Sequence, residues 1–119
     1  MAYCKTIHVK IKNESYLYES LAYITNPEKA SQVSFVTENI VIPDNDVLSI
    51  ETAYRRTRNI ANKNTGILAH HFVQSFADYD NVTPELAHQI GLEFIKNNLS
   101  KYQVTLATHI DGNHIHNHF

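Results

Sequence analysis

The last twelve residues, THIDGNHIHNHF (Thr108–Phe119), constrain the fold of this chain more than any other segment, and they hold half of its eight histidines. After the Gly-Asn dipeptide, histidine recurs at every second position, and a period of two is typical of a β-strand. Gly-Asn itself is typical of a tight hairpin turn. A two-residue turn there would place His109 opposite His116 and Asp111 opposite His114, with Cβ atoms about 5 Å apart. A turn at Asp111-Gly112 would pair different residues across the two strands, but the histidines would still lie on one face of the sheet.

Three imidazoles and a carboxylate on one sheet face form the donor set of a metal site. Imidazole suits transition-type divalent ions, and three protein ligands with open positions are typical of a catalytic metal. The pattern predicts His109, His114 and His116 as ligands, and Asp111 as an extra ligand or an orienting partner. His118 would lie further along the strand, out of reach or solvated. The alternative interpretation is an exposed, polar sheet face that is rich in histidine.

The remainder of the chain alternates between strand and helix patterns. Apolar residues at a period of two predict strands, and apolar residues at helical spacing predict amphipathic helices. The predicted strands are Lys5–Lys12, Ser31–Val41 (one strand or two), Ile67–Phe76, Tyr102–Ile110 and His114–Phe119. The predicted helices are Ser15–Ile24, Asp46–Asn62, and a third that Thr83 caps and that runs from Pro84 to about Asn98. This order indicates an α+β domain, with a central antiparallel sheet and helices packed on it.

The same alternation predicts which way the strand side chains point. In the strand before the hairpin turn, the expected core face consists of Tyr102, Val104, Leu106 and Ile110. The histidines would face away from that core. In Ile67–Phe76, His71 and Ser75 would point to the face where the metal is expected.

Length, charge and composition limit the class of protein. The chain has 119 residues, 43% of them hydrophobic, which predicts one compact domain over residues 1–119, truncated at its C-terminus. There is neither a secretory signal nor an apolar run that could span a bilayer, and a lone Cys4 fits a reduced cytoplasmic compartment. The net charge of −2 does not favour nucleic-acid binding. A basic cluster that includes Arg55 and Arg56 could contact phosphates or form a solvated helix face.

Three segments resemble motifs of the relaxases, the DNA-nicking enzymes of mobilizable plasmids and conjugative transposons, which belong to the HUH endonucleases. The hairpin, with the sequence HIHNH at residues 114–118, is similar to their third motif. LAYITNPEKA (Leu21–Ala30) resembles the first motif of the P-type mobilization relaxases. Ile67–Phe76, together with VTPELAHQIG, resembles their second motif region. The resemblance covers nearly the whole chain.

The resemblance implies a fold and a reaction. The histidines would lie on a central antiparallel sheet, with the helix that carries a nucleophilic tyrosine above them. That tyrosine, at the position of Tyr23, would attack a phosphodiester at the nick site of a transfer origin, become linked to the 5′ phosphate and free a 3′ hydroxyl. From the residues alone, Tyr3, Tyr16 and Tyr18 are rivals for this role. Asp111 or a nearby histidine could accept the phenolic proton.

The resemblance also implies ligands and partners. The metal would be a divalent ion, with manganese, magnesium, zinc and nickel all open. Ser75 would contact DNA, and His71 would either do the same or have a structural role. The expected partners are single-stranded transfer-origin DNA, accessory mobilization proteins and a coupling protein in the bacterial cytoplasm, without membrane insertion.

Two other functions remain open at this point. One is a rolling-circle replication initiator, another HUH enzyme, although initiators usually place the tyrosine after the histidines rather than before them. The other is a remnant of a relaxase that binds metal or DNA and has lost turnover.

Overall fold

The computed structural model describes residues 2–3, 8–38, 40–43, 46–63, 65–77, 81–111 and 114–119. The strands are β1 (Ala2–Tyr3), β2 (Val9–Ile11), β3 (Ala30–Thr37), β4 (Ile40–Pro43), β5 (Ala69–His71), β6 (Val73–Phe76), β7 (Val104–His109) and β8 (His116–His118). The helices are α1 (Glu14–Ile24), α2 (Val47–Ile60) and α3 (Pro84–Asn98). Within these described ranges, no helix is both long enough and apolar enough to cross a membrane.

Each helix begins at a side chain that caps it. The side chains of Asn13, Asp46 and Thr83 each accept a hydrogen bond from a backbone N–H of the first turn, which would otherwise lack a partner. Helix α3 also has Pro84 at its start, where a missing N–H removes no helical hydrogen bond. Helix α1 ends at Ile24, just before an Asn-Pro dipeptide that disfavours helical backbone. These local signals explain why the predicted helix bounds agree closely with the structure.

The larger sheet has the strand order β1-β6-β8-β7-β3-β4, and all its paired strands are antiparallel. Strands β7 and β8, which carry the histidines, lie at its centre, so the predicted α+β class is confirmed. The single strand predicted for Ile67–Phe76 is wrong. The segment changes partners at Phe72, because β5 pairs with β2 in a separate ribbon while β6 pairs with β8. Phe72 itself exchanges two backbone hydrogen bonds with Phe119.

Helices cover both faces of the central sheet. On one face, α1 and α2 contribute to a core cluster that consists of Ile11, Leu17, Leu21, Ile24, Phe35, Ile50 and Ala107. On the other face, α3 contributes to a second cluster that consists of Val36, Ile95, Val104, Leu106 and Phe119. Strand β7 is therefore buried along its whole length.

The predicted single core face of the strand before the turn is wrong. Val104 and Leu106 are buried against α3 as expected, but His109 on the opposite face is 0% exposed as well. Tyr102 and Ile110 are 64% and 51% exposed, because both lie beyond the ends of β7. The histidine face is thus an enclosed surface under α1, where polar groups need partners more than they would in water.

Candidate active site

Three imidazoles meet near the end of the β7–β8 pair. His109 is paired with His116 across the strands, as predicted, and His118 is paired with Ala107, so all three rings lie on one face. One nitrogen of each ring lies within 4.8 Å of a nitrogen of the other two. The ring centroids are 4.2 Å apart for His109 and His118 and 5.2 Å apart for His109 and His116. This histidine cluster (His109, His116 and His118) forms the floor of the site.

Hydrogen bonds to main-chain carbonyl groups orient two of these rings. His109 Nε2 lies 2.8 Å from the carbonyl oxygen of Ile24, to which it can only donate, so the lone pair is on Nδ1. His116 Nδ1 lies 2.9 Å from the carbonyl oxygen of His114 and donates in the same way, which leaves the lone pair on Nε2. Bonds of this kind fix the tautomer and orientation of metal-binding histidines.

The third ring, His118, is held by another histidine. Its Nδ1 lies 2.9 Å from His71 Nε2. His118 Nε2 and His109 Nδ1 are buried and have no hydrogen-bond partner. Buried polar atoms without partners are rare in folded proteins, and here two of them belong to one cluster.

The charge state of these rings also suits a metal. Burial lowers the pKa of His118 to about 3, and it lowers the pKa of His109 as well. Both rings are therefore neutral at neutral pH, and neutral imidazole is the form that binds metal. The donor set, the tautomers of His109 and His116, and the unpartnered nitrogens of His109 and His118 all fit one divalent ion.

His118, rather than His114, completes the cluster. The sequence assigns the third ligand to His114, but that side chain is exposed and lies outside the group of histidines that could share an ion. The physical reason is that β8 begins only at His116, so the alternation that aligns His116 with His118 does not extend back to His114. The predicted turn at residues 112–113 lies outside the described residues.

Tyr23 lies directly at the histidine cluster. It is in the last turn of α1, and its ring meets His109 edge-on at a centroid distance of 5.6 Å and His118 at 5.8 Å. The side chain is nonetheless 47% exposed, so it borders both the cluster and solvent. Tyr16 lies seven residues earlier on α1, about 10 Å away along the helix axis.

An ion pair borders the same site. Asp111 Oδ2 accepts a hydrogen bond of 3.1 Å from Lys29 Nζ, and Asp111 Oδ1 lies 3.7 Å from His109 Nδ1. The hydrogen bond from Lys29 is the main cause that lowers the pKa of the Asp111 carboxyl. Lys29 Nζ also lies 5.6 Å from the centroid of the Tyr23 ring. Sequence reasoning missed Lys29, although its position within the first-motif segment, six residues after Tyr23, is a usable signal.

Strands β5 and β6 bring the second-motif residues to the cluster. Ser75 is the register partner of His116 and is partly buried. His71 contacts His118 through the hydrogen bond described above and is partly buried too. The prediction that both side chains point to the histidine face agrees with this register.

The basic residues of α2 lie elsewhere. Arg55 forms an ion pair with Glu51 at 2.5 Å and approaches Glu14 at 4.0 Å. Glu14 begins α1 and Tyr23 is nine residues further on, a distance of about 14 Å along the helix. Arg56 is exposed on the same helix. The structure therefore does not bring Arg55 together with the histidine cluster.

Comparison with known proteins agrees with this arrangement. A family model described as a relaxase, MobA/VirD2-like, nuclease domain matches residues 23–119. The group II intron-interrupted relaxase LtrB of Lactococcus lactis subsp. cremoris is 30% identical over an alignment of 135 positions, gaps included. The alignment spans 92% of this chain and 23% of that relative. Protein rlx of Staphylococcus aureus is 41% identical over 73 residues, which cover 61% of this chain and 23% of that relative.

The chain spans about a quarter of the length of these relatives. No solved structure matches it. The family match begins at Tyr23 and includes the whole histidine cluster. On this match and on the similarity to LtrB, the chain belongs to the MobA/VirD2-like relaxase nuclease-domain family.

Proposed function

We propose that this chain forms the site at which a relaxase nicks one DNA strand at a plasmid or transposon transfer origin, with Tyr23 as the nucleophile. The observation that carries the proposal is the edge-on contact of the Tyr23 ring with His109 and His118. Among the tyrosines whose side chains the structure describes, Tyr23 alone has a ring contact with these histidines. Its partial exposure leaves room for a phosphate to approach from solvent.

The histidine cluster is proposed to hold the divalent metal of this reaction. Such an ion polarises the phosphate and offsets the negative charge that develops on its oxygens. The ligand atoms would be His109 Nδ1, His116 Nε2 and His118 Nε2, because the other nitrogen of each ring is hydrogen-bonded elsewhere. Three imidazoles do not by themselves select among Mn²⁺, Mg²⁺, Zn²⁺ and Ni²⁺.

The chain's own residues would perform the transfer. The Tyr23 phenolic oxygen forms a bond to phosphorus while the bond from phosphorus to the 3′ oxygen breaks, and the 3′ oxygen takes up a proton to become a hydroxyl. A phenol is a weak nucleophile at neutral pH, so its proton must be accepted nearby. We propose the Asp111 carboxylate as that acceptor. The Lys29 ammonium, which lies close to the Tyr23 ring and donates a hydrogen bond to Asp111, would hold that carboxylate beside the phenol.

The DNA contacts follow from the same arrangement. Ser75 lies next to the cluster on β6, which pairs with β8, and His71 of β5 is hydrogen-bonded to His118. Ser75 is therefore proposed to contact the DNA backbone, and His71 to hold His118. Arg55 and Arg56 would contact only nucleotides distant from the scissile phosphate. Accessory mobilization proteins and a coupling protein are proposed as further partners of the whole protein.

The decisive experiment is incubation with a labelled single-stranded transfer-origin oligonucleotide and Mn²⁺, followed by denaturing electrophoresis. We expect a covalent protein–DNA adduct that Tyr23→Phe abolishes. Tyr16→Phe is the matched control, because Tyr16 lies on the same helix and is similarly exposed but has no contact with the histidines. Asp111→Asn should slow adduct formation without preventing metal binding.

Each alternative outcome has a clear meaning. An adduct that persists in Tyr23→Phe would contradict the assignment of the nucleophile. Metal binding without any adduct would favour a remnant that binds metal or DNA without turnover. An adduct on a replication origin and none on a transfer origin would favour a replication initiator.

A further inference from the structure

Directly behind the histidine cluster, on the α3 face of the same strands, lies a buried chain of polar side chains. Ser34 Oγ is 2.8 Å from His88 Nε2, and His88 Nδ1 is 2.8 Å from Thr108 Oγ1. Thr108 Oγ1 is in turn 2.6 Å from Asn117 Oδ1, and Asn117 Nδ2 lies 3.1 Å from Gln74 Oε1. All five side chains are buried, and His88, Thr108 and Asn117 are 0% exposed.

Donor counting fixes the direction of every bond in this chain. Asn117 Nδ2 also donates to the carbonyl oxygen of Ala87 at 2.8 Å, so Asn117 Oδ1 must be the acceptor for the Thr108 hydroxyl. Because the Thr108 hydrogen is used there, Thr108 Oγ1 accepts from His88 Nδ1–H. His88 Nε2 then accepts from the Ser34 hydroxyl. Only one assignment of donors and acceptors satisfies all these hydrogen bonds. Rearrangement of the network would break several of them, so the network is rigid.

The central bond of this network joins the two strands that carry the histidine cluster. Thr108 and Asn117 are register partners across β7 and β8. Thr108 precedes His109, while Asn117 lies between His116 and His118. A change in the spacing or register of Thr108 and Asn117 would therefore displace the imidazole of His109, on β7, relative to those of His116 and His118, on β8.

Helix α3 approaches this point closely enough to hold it. A Cβ atom added at Gly91 would lie 2.9 Å from Asn117 Nδ2 and 2.8 Å from Leu106 Cδ2, so only glycine fits without displacement of a neighbour. The Ala87 carbonyl and the His88 ring, one turn earlier on α3, hydrogen-bond to Asn117 and Thr108. Three residues of α3 thus contact the backs of the two ligand-bearing strands.

We propose that His88, Thr108 and Asn117 are positioning residues for the metal site, which they preorganise by locking β7 to β8 from the opposite face of the sheet. The inference rests on the proposed metal site of the histidine cluster. It assigns α3 a role in metal affinity although no residue of α3 belongs to the cluster. Burial lowers the pKa of His88 to about 4, which keeps the ring neutral and the bond direction constant at neutral pH.

The test compares two threonines of β7. Thr108→Val removes the hydroxyl that joins His88 to Asn117. Thr105→Val is the matched control, because Thr105 is also buried and its hydroxyl also makes a hydrogen bond, to Tyr54 Oη at 2.6 Å, but it is not part of the network. Thr108→Ser keeps the hydroxyl and should restore the wild-type behaviour.

Binding is measured with Co²⁺ alone, whose visible absorption reports the number and geometry of its ligands. We expect Thr108→Val to weaken Co²⁺ binding by about 10-fold, the lower end of the range for residues that orient metal ligands, and to alter the absorption bands. Thr105→Val and Thr108→Ser should remain within about 2-fold of wild type, since neither breaks the network. Thermal unfolding of the metal-free variants separates this effect from a general loss of stability.

Equal Co²⁺ affinities for Thr108→Val and Thr105→Val would overturn the proposal and leave the network a purely structural feature. If Thr108→Val does not fold, Ser34→Ala at the far end of the network replaces it, with a smaller expected loss of affinity. An unchanged affinity and spectrum in folded Ser34→Ala would again count against the proposal. Wild-type protein that binds no Co²⁺ would instead overturn the metal site itself, and this inference with it.

Discussion

The two faces of the β7–β8 pair contain similar polar groups in opposite states. On the α3 face, His88, Thr108 and Asn117 have every side-chain nitrogen and oxygen hydrogen-bonded. On the α1 face, His109 and His118 each retain one buried nitrogen without a partner. Residues 108 and 109 are adjacent in the chain, so the difference arises from the face on which a side chain lies and not from the local sequence.

This comparison distinguishes buried polar groups that have hydrogen-bond partners within the protein from buried polar groups that a ligand could still bind. A fully satisfied buried network stabilises one arrangement of the backbone. Converging buried nitrogens without partners have a desolvation cost that a bound cation would remove. We therefore propose that the reaction takes place on the α1 face, where His109 and His118 have unpartnered nitrogens. The hydrogen-bonded network on the α3 face would keep β7 and β8 in a fixed arrangement.

The largest expected effect comes from removal of a proposed metal ligand on the α1 face. His118→Ala leaves two imidazoles of the histidine cluster and should weaken Co²⁺ binding by at least about 1,000-fold, or about 4 kcal/mol. His114→Ala is the control within the same segment, and it should change the affinity by less than about 2-fold, because that ring lies outside the cluster. Isothermal titration of both variants would measure the difference. The reverse order of effects would restore the ligand set predicted from sequence.

The next effect concerns pH and the α3 face. Burial lowers the folded-state pKa of His88 to about 4, whereas the unfolded chain has the ordinary value of 6.5. Above that ordinary value the ring is neutral in both states and contributes no pH dependence. As pH falls towards about 4, only the unfolded chain takes up the proton, so folding stability declines by up to about 3 kcal/mol.

Urea unfolding of the metal-free protein at neutral pH and at about pH 4 would measure this decline. His88→Gln serves as the reference, since it lacks the titrating ring and removes this contribution from the difference. A decline of equal size in His88→Gln would assign the pH dependence to other groups.

The smallest of these effects concerns the close approach of α3 to the sheet. Gly91→Ala places a Cβ against Leu106 and Asn117, and it should destabilise the fold by about 1–2 kcal/mol. The Leu106 methyl groups can move, but the Asn117 amide is held by its hydrogen bonds. Urea unfolding at neutral pH is the measurement. A stabilised Gly91→Ala would mean that α3 shifts at little cost and does not hold Asn117 rigidly.

Local features of the sequence were sufficient to predict the helices and the histidine hairpin. Thr83 and Pro84 mark the start of α3 through capping chemistry that needs no tertiary information. The pairing of His109 with His116 agrees with the one predicted from the period of two and from the expected two-residue turn. Both predictions rest on interactions between residues that are close in the chain.

Features that depend on tertiary partners could not be predicted in this way. The strand predicted for Ile67–Phe76 is broken at Phe72 because its first half, β5, pairs with β2 and its second half, β6, pairs with β8. The placement of His118, and not His114, beside His109 and His116 depends on where β8 begins, which the hairpin pattern does not specify. The Lys29–Asp111 pair joins residues 82 positions apart, a contact that only the folded sheet creates.

The hydrogen bond from His109 to the Ile24 carbonyl would couple the affinity for the metal to the affinity for DNA. It joins a proposed metal ligand to the residue that follows Tyr23 in α1. If a DNA strand that engages Tyr23 shifts this last helical turn and so changes the affinity for the metal, thermodynamic reciprocity requires the metal to change the affinity for that strand by the same factor. Beside the ring contacts of Tyr23 itself, this 2.8 Å hydrogen bond is thus a main-chain link through which binding of the metal and binding of DNA would affect each other.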